Sequence, residues 1–178
     1  MYHLAKLFIV AAIFTSGCTS MGEKGDKKQP VMNKVENDSL FKQLMILTNS
    51  KIPSEKQNDS LAFLILPLNN SCPSCRDKTI DSISRHISSL KSKHYIIISA
   101  NDGIKNMRAT FTKNDRKIPS APGRVFLDSM DLAYKFDLYA SNPSMFYTAG
   151  GKVYKSVYAL PESIKQDLQE FFSGFRSK

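Results

Sequence analysis

The feature that most restricts this chain is an order of segments around residue 70. An unbroken apolar run, 61–68 (LAFLILPL), leads into Asn69-Asn70-Ser71-Cys72-Pro73-Ser74-Cys75. Ile80, Ile83, Ile87 and Leu90 then recur at intervals of three and four, mostly with Ser, Lys, Arg and Asp between them. The run is too short for a typical buried helix and fits a central strand covered on both faces. Pro67 cannot donate a ladder hydrogen bond, so the strand should end there. The spacing that follows predicts an amphipathic helix with Cys-x-x-Cys in its first turn, and Tyr95-Ile96-Ile97-Ile98 reads as a second strand. Strand, dithiol, helix, strand is the setting in which a cysteine pair acquires redox meaning.

That placement dictates the chemistry to expect. Cys72 would aim its sulfur at the unpaired N–H groups of the helix start, where the positive end of the macrodipole favours thiolate over thiol. Cys72 is therefore the expected nucleophile. Cys75, three residues on, lies on the same face and deeper, within reach to close or resolve a disulfide. Pro73 is tolerated because the first helical turn has no carbonyl partner for its missing N–H. Pro73 and Ser74, the residues between the cysteines, are where substitution tunes the potential, which spans about −270 to −120 mV among known dithiol proteins of this kind.

The whole chain, 178 residues with 42% hydrophobic, suffices for one domain with a sizeable core and is short for two. Asn37-Asp38-Ser39 offers an N-cap for a short helix carrying Leu40, Phe41, Leu44 and Leu47, and 51–60 reads as a polar loop. Pro119-Ser120-Ala121-Pro122-Gly123 is a turn-rich connection. Then come a strand at Arg124-Val125-Phe126-Leu127-Asp128, a helical Leu132-Ala133-Tyr134-Lys135-Phe136, the segment Asn142-Pro143-Ser144-Met145-Phe146-Tyr147, and a hairpin turn at Gly150-Gly151. Ile164, Leu168, Phe171 and Phe172 give 161–172 the spacing of a closing helix.

In that order, over about residues 61–172, the chain resembles the thioredoxin superfamily, specifically the exported, membrane-attached proteins of the TlpA/ResA type. The resemblance implies an α/β thioredoxin-like fold, a central mixed β-sheet flanked by helices with the CxxC at a helix N-terminus. It implies a thiol–disulfide oxidoreductase acting on protein clients, with Cys72 attacking and Cys75 resolving. It further implies a dedicated reductase fed by a membrane electron donor and working as a monomer, with an oxidase or isomerase role as the nearest alternative direction. No cofactor is implied beyond a redox-active Cys72–Cys75 disulfide. Asn142 and Pro143 match the family's substrate-binding segment, and the resemblance implies a cis Asn142–Pro143 bond. Three departures stand out: Ser71 replaces the family's Trp, Asn142 replaces its Thr or Val, and 61–68 holds no carboxylate to relay the proton of Cys75. The second reading is a non-catalytic thioredoxin-like binding module with a structural disulfide.

The amino terminus adds a targeting segment. Lys6 precedes an apolar run over 7–14 that is too short to span a bilayer, so a cleaved signal peptide is expected over 1–17. Thr15-Ser16-Gly17-Cys18 resembles the bacterial lipobox, with Thr15 where Leu, Val or Ile is usual. It implies lipidation at Cys18, a membrane anchor by acyl chains, a flexible polar tether over 18–29, and a domain over 30–178. The expected location is the bacterial cell envelope, facing the periplasm. Thr19 favours the outer membrane, although inner and outer both stay open.

Several classes are disfavoured. The net charge of +9 is scattered, without the basic groove and interleaved aromatics of a nucleic-acid binder. A metal site is not expected, because the mature domain offers only Cys72, Cys75, His86 and His94 for zinc. Asn69 stands where a peroxiredoxin needs a hydroxyl, and no Gly-rich phosphate loop or hydrolase nucleophile elbow is visible.

Overall fold

A computed structural model describes residues 34–69 and 71–174. The signal, lipobox, Cys18 and tether expectations fall outside the described residues. The elements run α1 (Lys34–Leu47), α2 (Ser54–Gln57), β1 (Leu61–Pro67), α3 (Pro73–His86), β2 (His94–Ser99), α4 (Gly103–Lys113), β3 (Val125–Asp128), α5 (Leu132–Lys135), β4 (Ser144–Ala149), β5 (Lys152–Tyr158) and α6 (Ile164–Ser173). They build one five-stranded sheet in the order β3-β2-β1-β4-β5. β1, β2 and β3 are parallel, whereas β4 pairs antiparallel with both β1 and β5. A βαβ unit with a dithiol at its helix, joined to an antiparallel hairpin and a closing helix, is the thioredoxin-like fold.

β1 is buried along its whole length, as a central strand must be. Its two faces serve two cores. Ala62, Leu64 and Leu66 join Ile96, Ile98 and Met145 under α3, α4 and α6, through Cys75, Ile80, Ile83, Met107, Phe111, Leu168 and Phe171. Leu61, Phe63 and Ile65 join Ile97 and Phe146 on the other face, covered by Phe41, Leu44 and Leu47 of α1 and by Ala133. The alternation fixes the register, since a one-residue slip would exchange the two cores. Pro67 is the last residue of β1, as its missing donor requires.

The structure corrects several local expectations. Asn37, Asp38 and Ser39 lie inside α1, which begins at Lys34, so they cap nothing. Docking on β5, where Lys152 reaches Asp38 at 3.5 Å, overrides their capping preference. The segment after Lys51 is not all loop: Ile52 is buried and Ser54–Gln57 forms one turn of helix. α3 stops at His86 and tightens into a 3-10 turn over Ile87–Ser89. The sequence reading left α4 out altogether; only Met107 and Phe111 of its residues are buried, a thin apolar stripe. The hairpin turn is as expected, with Gly150 and Gly151 at φ 58° and 71°.

Candidate active site

β1 delivers the chain to the dithiol at the carboxyl edge of the sheet. Cys72 is the N-cap residue of α3 (φ −51°, ψ 114°), with Pro73 at the first helical position. Two backbone bonds fix it. Its N–H donates to the carbonyl of Ser141 at 2.8 Å, and its carbonyl accepts from the N–H of Arg76 at 2.9 Å. The side chain is partly exposed, whereas Cys75 is fully buried in the α3 side of the core. Both cysteines are free thiols.

Their surroundings drive the two thiols apart. The Ser74 hydroxyl lies 3.4 Å from the Cys72 sulfur and is the largest influence on it. Hydrogen bonds from the Cys75 thiol and from the main chain at Cys75 and Ser74 add to it, and together they lower Cys72 from 9.0 to about 7 despite partial burial. Of these, the main-chain N–H groups of Ser74 and Cys75 are donors that a helix start leaves unpaired. Cys75 moves the other way, raised to about 11, first by burial and then by its hydrogen bond to Cys72 and the charge there. Ser74 and the Lys78 ammonium oppose that rise only in part. The result is one ionisable, accessible sulfur held against one protonated, buried sulfur.

The loop that carries Asn142 and Pro143 abuts the dithiol through the residue before them. Ser141, rather than Asn142, supplies the carbonyl that meets Cys72. Asn142 is half-exposed and Pro143 buried, its carbonyl accepting from Ala159 at 2.9 Å. The Asn142–Pro143 bond is trans, which corrects the cis expectation. Trans is the lower-energy isomer of an X–Pro bond by about 0.5–1 kcal/mol, and here the loop meets Cys72 through Ser141 in that isomer.

Pro73 and Ser74 are exposed between the cysteines, and Ser74 tunes Cys72 directly. Ser71, just ahead of Cys72, has a buried hydroxyl without a hydrogen-bond partner among the described residues. The histidines are elsewhere: His86 stacks on Phe172 at the far end of α3, and His94 packs against Phe171. Among the described residues no group of three His, Cys, Asp or Glu could hold a metal. No helix among them is long and apolar enough to cross a membrane.

Sequence reading missed Ser141 and a buried polar cluster behind the same edge. Ser99 Oγ lies 2.7 Å from both Asp128 Oδ2 and Asp131 Oδ1, and the Tyr139 hydroxyl donates to Asp131 at 2.5 Å. Asp128 also accepts the N–H groups of Leu132 and Ala133, capping α5. An Asp just ahead of a helical run was the available signal.

No protein-family model matches the sequence, and no curated protein matches it. Among solved structures the chain is similar to a secreted disulfide oxidoreductase of Mycobacterium tuberculosis, described as homologous to DsbE of E. coli. The identity is 10%, the match covers 65% of this chain and 84% of that one, and the TM-score is 0.40. The strand order and the dithiol helix define the thioredoxin-like fold on their own.

Proposed function

We propose that this protein is a thiol–disulfide oxidoreductase, and that it reduces disulfides of exported client proteins. The observation that carries the reading is the contrast within the dithiol: an accessible Cys72 near pKa 7 in hydrogen-bond contact with a buried Cys75 near 11. The Cys72 thiolate attacks one sulfur of the client disulfide, forming a Cys72–client mixed disulfide and expelling the other sulfur as thiolate. Cys75 then loses its proton and attacks Cys72, releasing the client thiolate and leaving a Cys72–Cys75 disulfide. The client gains two electrons and the dithiol loses two.

The direction is supported by the value at Cys72. A midpoint near 7 is that of thioredoxin, a reductant, whereas the strong oxidant DsbA sits near 3.5. The anchor belongs to the same reading: lipidation of Cys18 would tether the domain through a flexible segment to an envelope membrane, facing the periplasm. A membrane electron donor would return the disulfide to dithiol, with no cofactor in the chain and the protein acting as a monomer. Clients would be extended segments laid against Ser141, Asn142 and Pro143 beside Cys72.

The test is stoichiometric. Reduced full-length protein is mixed with an unfolded reporter protein carrying a glutathione mixed disulfide, and intact masses are followed. The oxidoreductase should lose two hydrogens as the reporter thiol and glutathione appear. Persistence of both cysteines as thiols would overturn the proposal.

A further inference from the structure

Beside the dithiol, at the carboxyl ends of β1, β2 and β3, lies a cavity of about 290 Å³. Open α/β sheets bind their ligands along this edge. Asn69, three residues before Cys72, and Ala140, next to the Ser141 that holds Cys72, line the dithiol side. Met130, Asp131 and Tyr134 line it as well.

Asp131 is the informative residue. It is 8% exposed, and its backbone is held in the left-handed region at φ 53°. Tyr139 and Ser99 fix its Oδ1 from behind, while its Oδ2 takes no hydrogen bond among the described residues. A buried carboxylate locked on one oxygen therefore keeps the other uncommitted in a residue that lines the cavity. Asp128, by contrast, takes a backbone N–H on each of its oxygens, which leaves the single Ser99 hydroxyl proton for Asp131.

The rest of the wall suits an alkyl stem carrying a positive head. Tyr134 and Tyr139 sit 5.8 Å apart between ring centroids, and Met130 and Tyr134 are 65% and 56% exposed. Such surfaces take the methylenes of a long side chain and face its cation. Asp102, held by the Asn69 amide at 3.3 Å, adds a second negative charge near the cavity, against the single cation Lys135 that lines it. This acidic spot stands out on a chain of net charge +9. A divalent metal is a poor fit, because among the described residues no group of three His, Cys, Asp or Glu side chains could hold one.

We propose that the cavity is a subsite for a cationic side chain, arginine or lysine, lying within a few residues of the client's reactive cysteine. The inference rests on the oxidoreductase reading above. The client's basic head pairs with Asp131 Oδ2 while its stem lies on Tyr134 and Met130, which holds the neighbouring client sulfur in line with Cys72. Covalent chemistry stays as described: Cys72 bonds one sulfur of the client disulfide and the other leaves as the thiolate, a part that glutathione plays in the test below.

The test uses cysteine peptides as glutathione mixed disulfides, each with one Arg placed one to four residues before or after the cysteine, and matched Gln and Glu peptides. Rates of reaction with reduced full-length protein are compared as the Arg-to-Gln ratio, which cancels changes in intrinsic thiol reactivity. At the best position the ratio should be about tenfold, with Glu slower than Gln. Asp131→Asn, which suits a left-handed backbone, should bring the ratio toward one, and Lys135→Glu should raise it. A ratio of one at every position, or a ratio unmoved in both variants, overturns the subsite. If hydroxyethyl disulfide still reacts in that case, only the subsite fails; if no disulfide reacts at all, the oxidoreductase reading fails with it.

Discussion

Replacing Ser74 by Ala removes the largest single influence that lowers Cys72. A hydrogen bond to a charged acceptor is worth roughly one pH unit in the midpoint of that acceptor, so Ser74→Ala should move Cys72 upward from about 7 by about that much. At pH 7 the thiolate fraction then falls from about one half to about one tenth. The remaining thiolate is a better nucleophile, by roughly threefold for a Brønsted slope of about 0.4–0.5. Alkylation by iodoacetamide should thus slow only about twofold at pH 7 and become about two- to threefold faster above pH 9, so the two rate profiles cross. Burial and the high value of Cys75 keep that thiol silent through most of the range, so the profile reports Cys72. A midpoint unchanged in Ser74→Ala, or profiles that run parallel without crossing, would refute the account of why Cys72 ionises.

Further outcomes follow from the same geometry. Cys75→Ala should accumulate a Cys72–client mixed disulfide, visible as an added client mass, because nothing remains to resolve it; a variant that releases client at the parent rate would assign the resolving step to another group. His94, pushed down to about 4 first by burial and then by Lys91, has a buried Nδ1 without a partner among the described residues. Its folded value lies below the ordinary 6.5, so the unfolded chain takes the proton first. Its contribution is therefore full above pH 6.5 and lost as pH falls toward 4, by about 2 kcal/mol once its partial exposure is discounted. Urea unfolding should show this extra acid loss in the parent and not in His94→Phe, and coincident pH dependences would contradict it.

The parts of the fold that sequence revealed are those where one residue pattern had a single physical solution. The run 61–68 could only be a strand covered on both faces, and Cys72, Pro73 and Cys75 could only open the helix after it. α4 stayed hidden because two buried residues in eleven leave almost no periodicity, and Ile104, the next apolar residue, is exposed. The start of α1 was misplaced because tertiary docking on β5 outweighs the capping preference of Asn37-Asp38-Ser39. At the site, the placement of Cys72 at the helix start and of Cys75 buried behind it was legible from the spacing and helix polarity. Ser141 and Asp131 were not, since each reaches the dithiol edge only through the sheet, by contacts that no local spacing encodes. The Asn142–Pro143 bond follows the ordinary trans preference of an X–Pro dipeptide and not the cis isomer that the resemblance implied.

The most direct test of the central claim is the equilibrium of the Cys72/Cys75 pair against glutathione in the full-length protein. A reductase with Cys72 near 7 should equilibrate near thioredoxin's potential, about −270 mV. A value near −120 mV would reverse the direction of electron flow. A disulfide that glutathione does not touch, with a potential below about −300 mV, would make the pair structural and the domain a binding module.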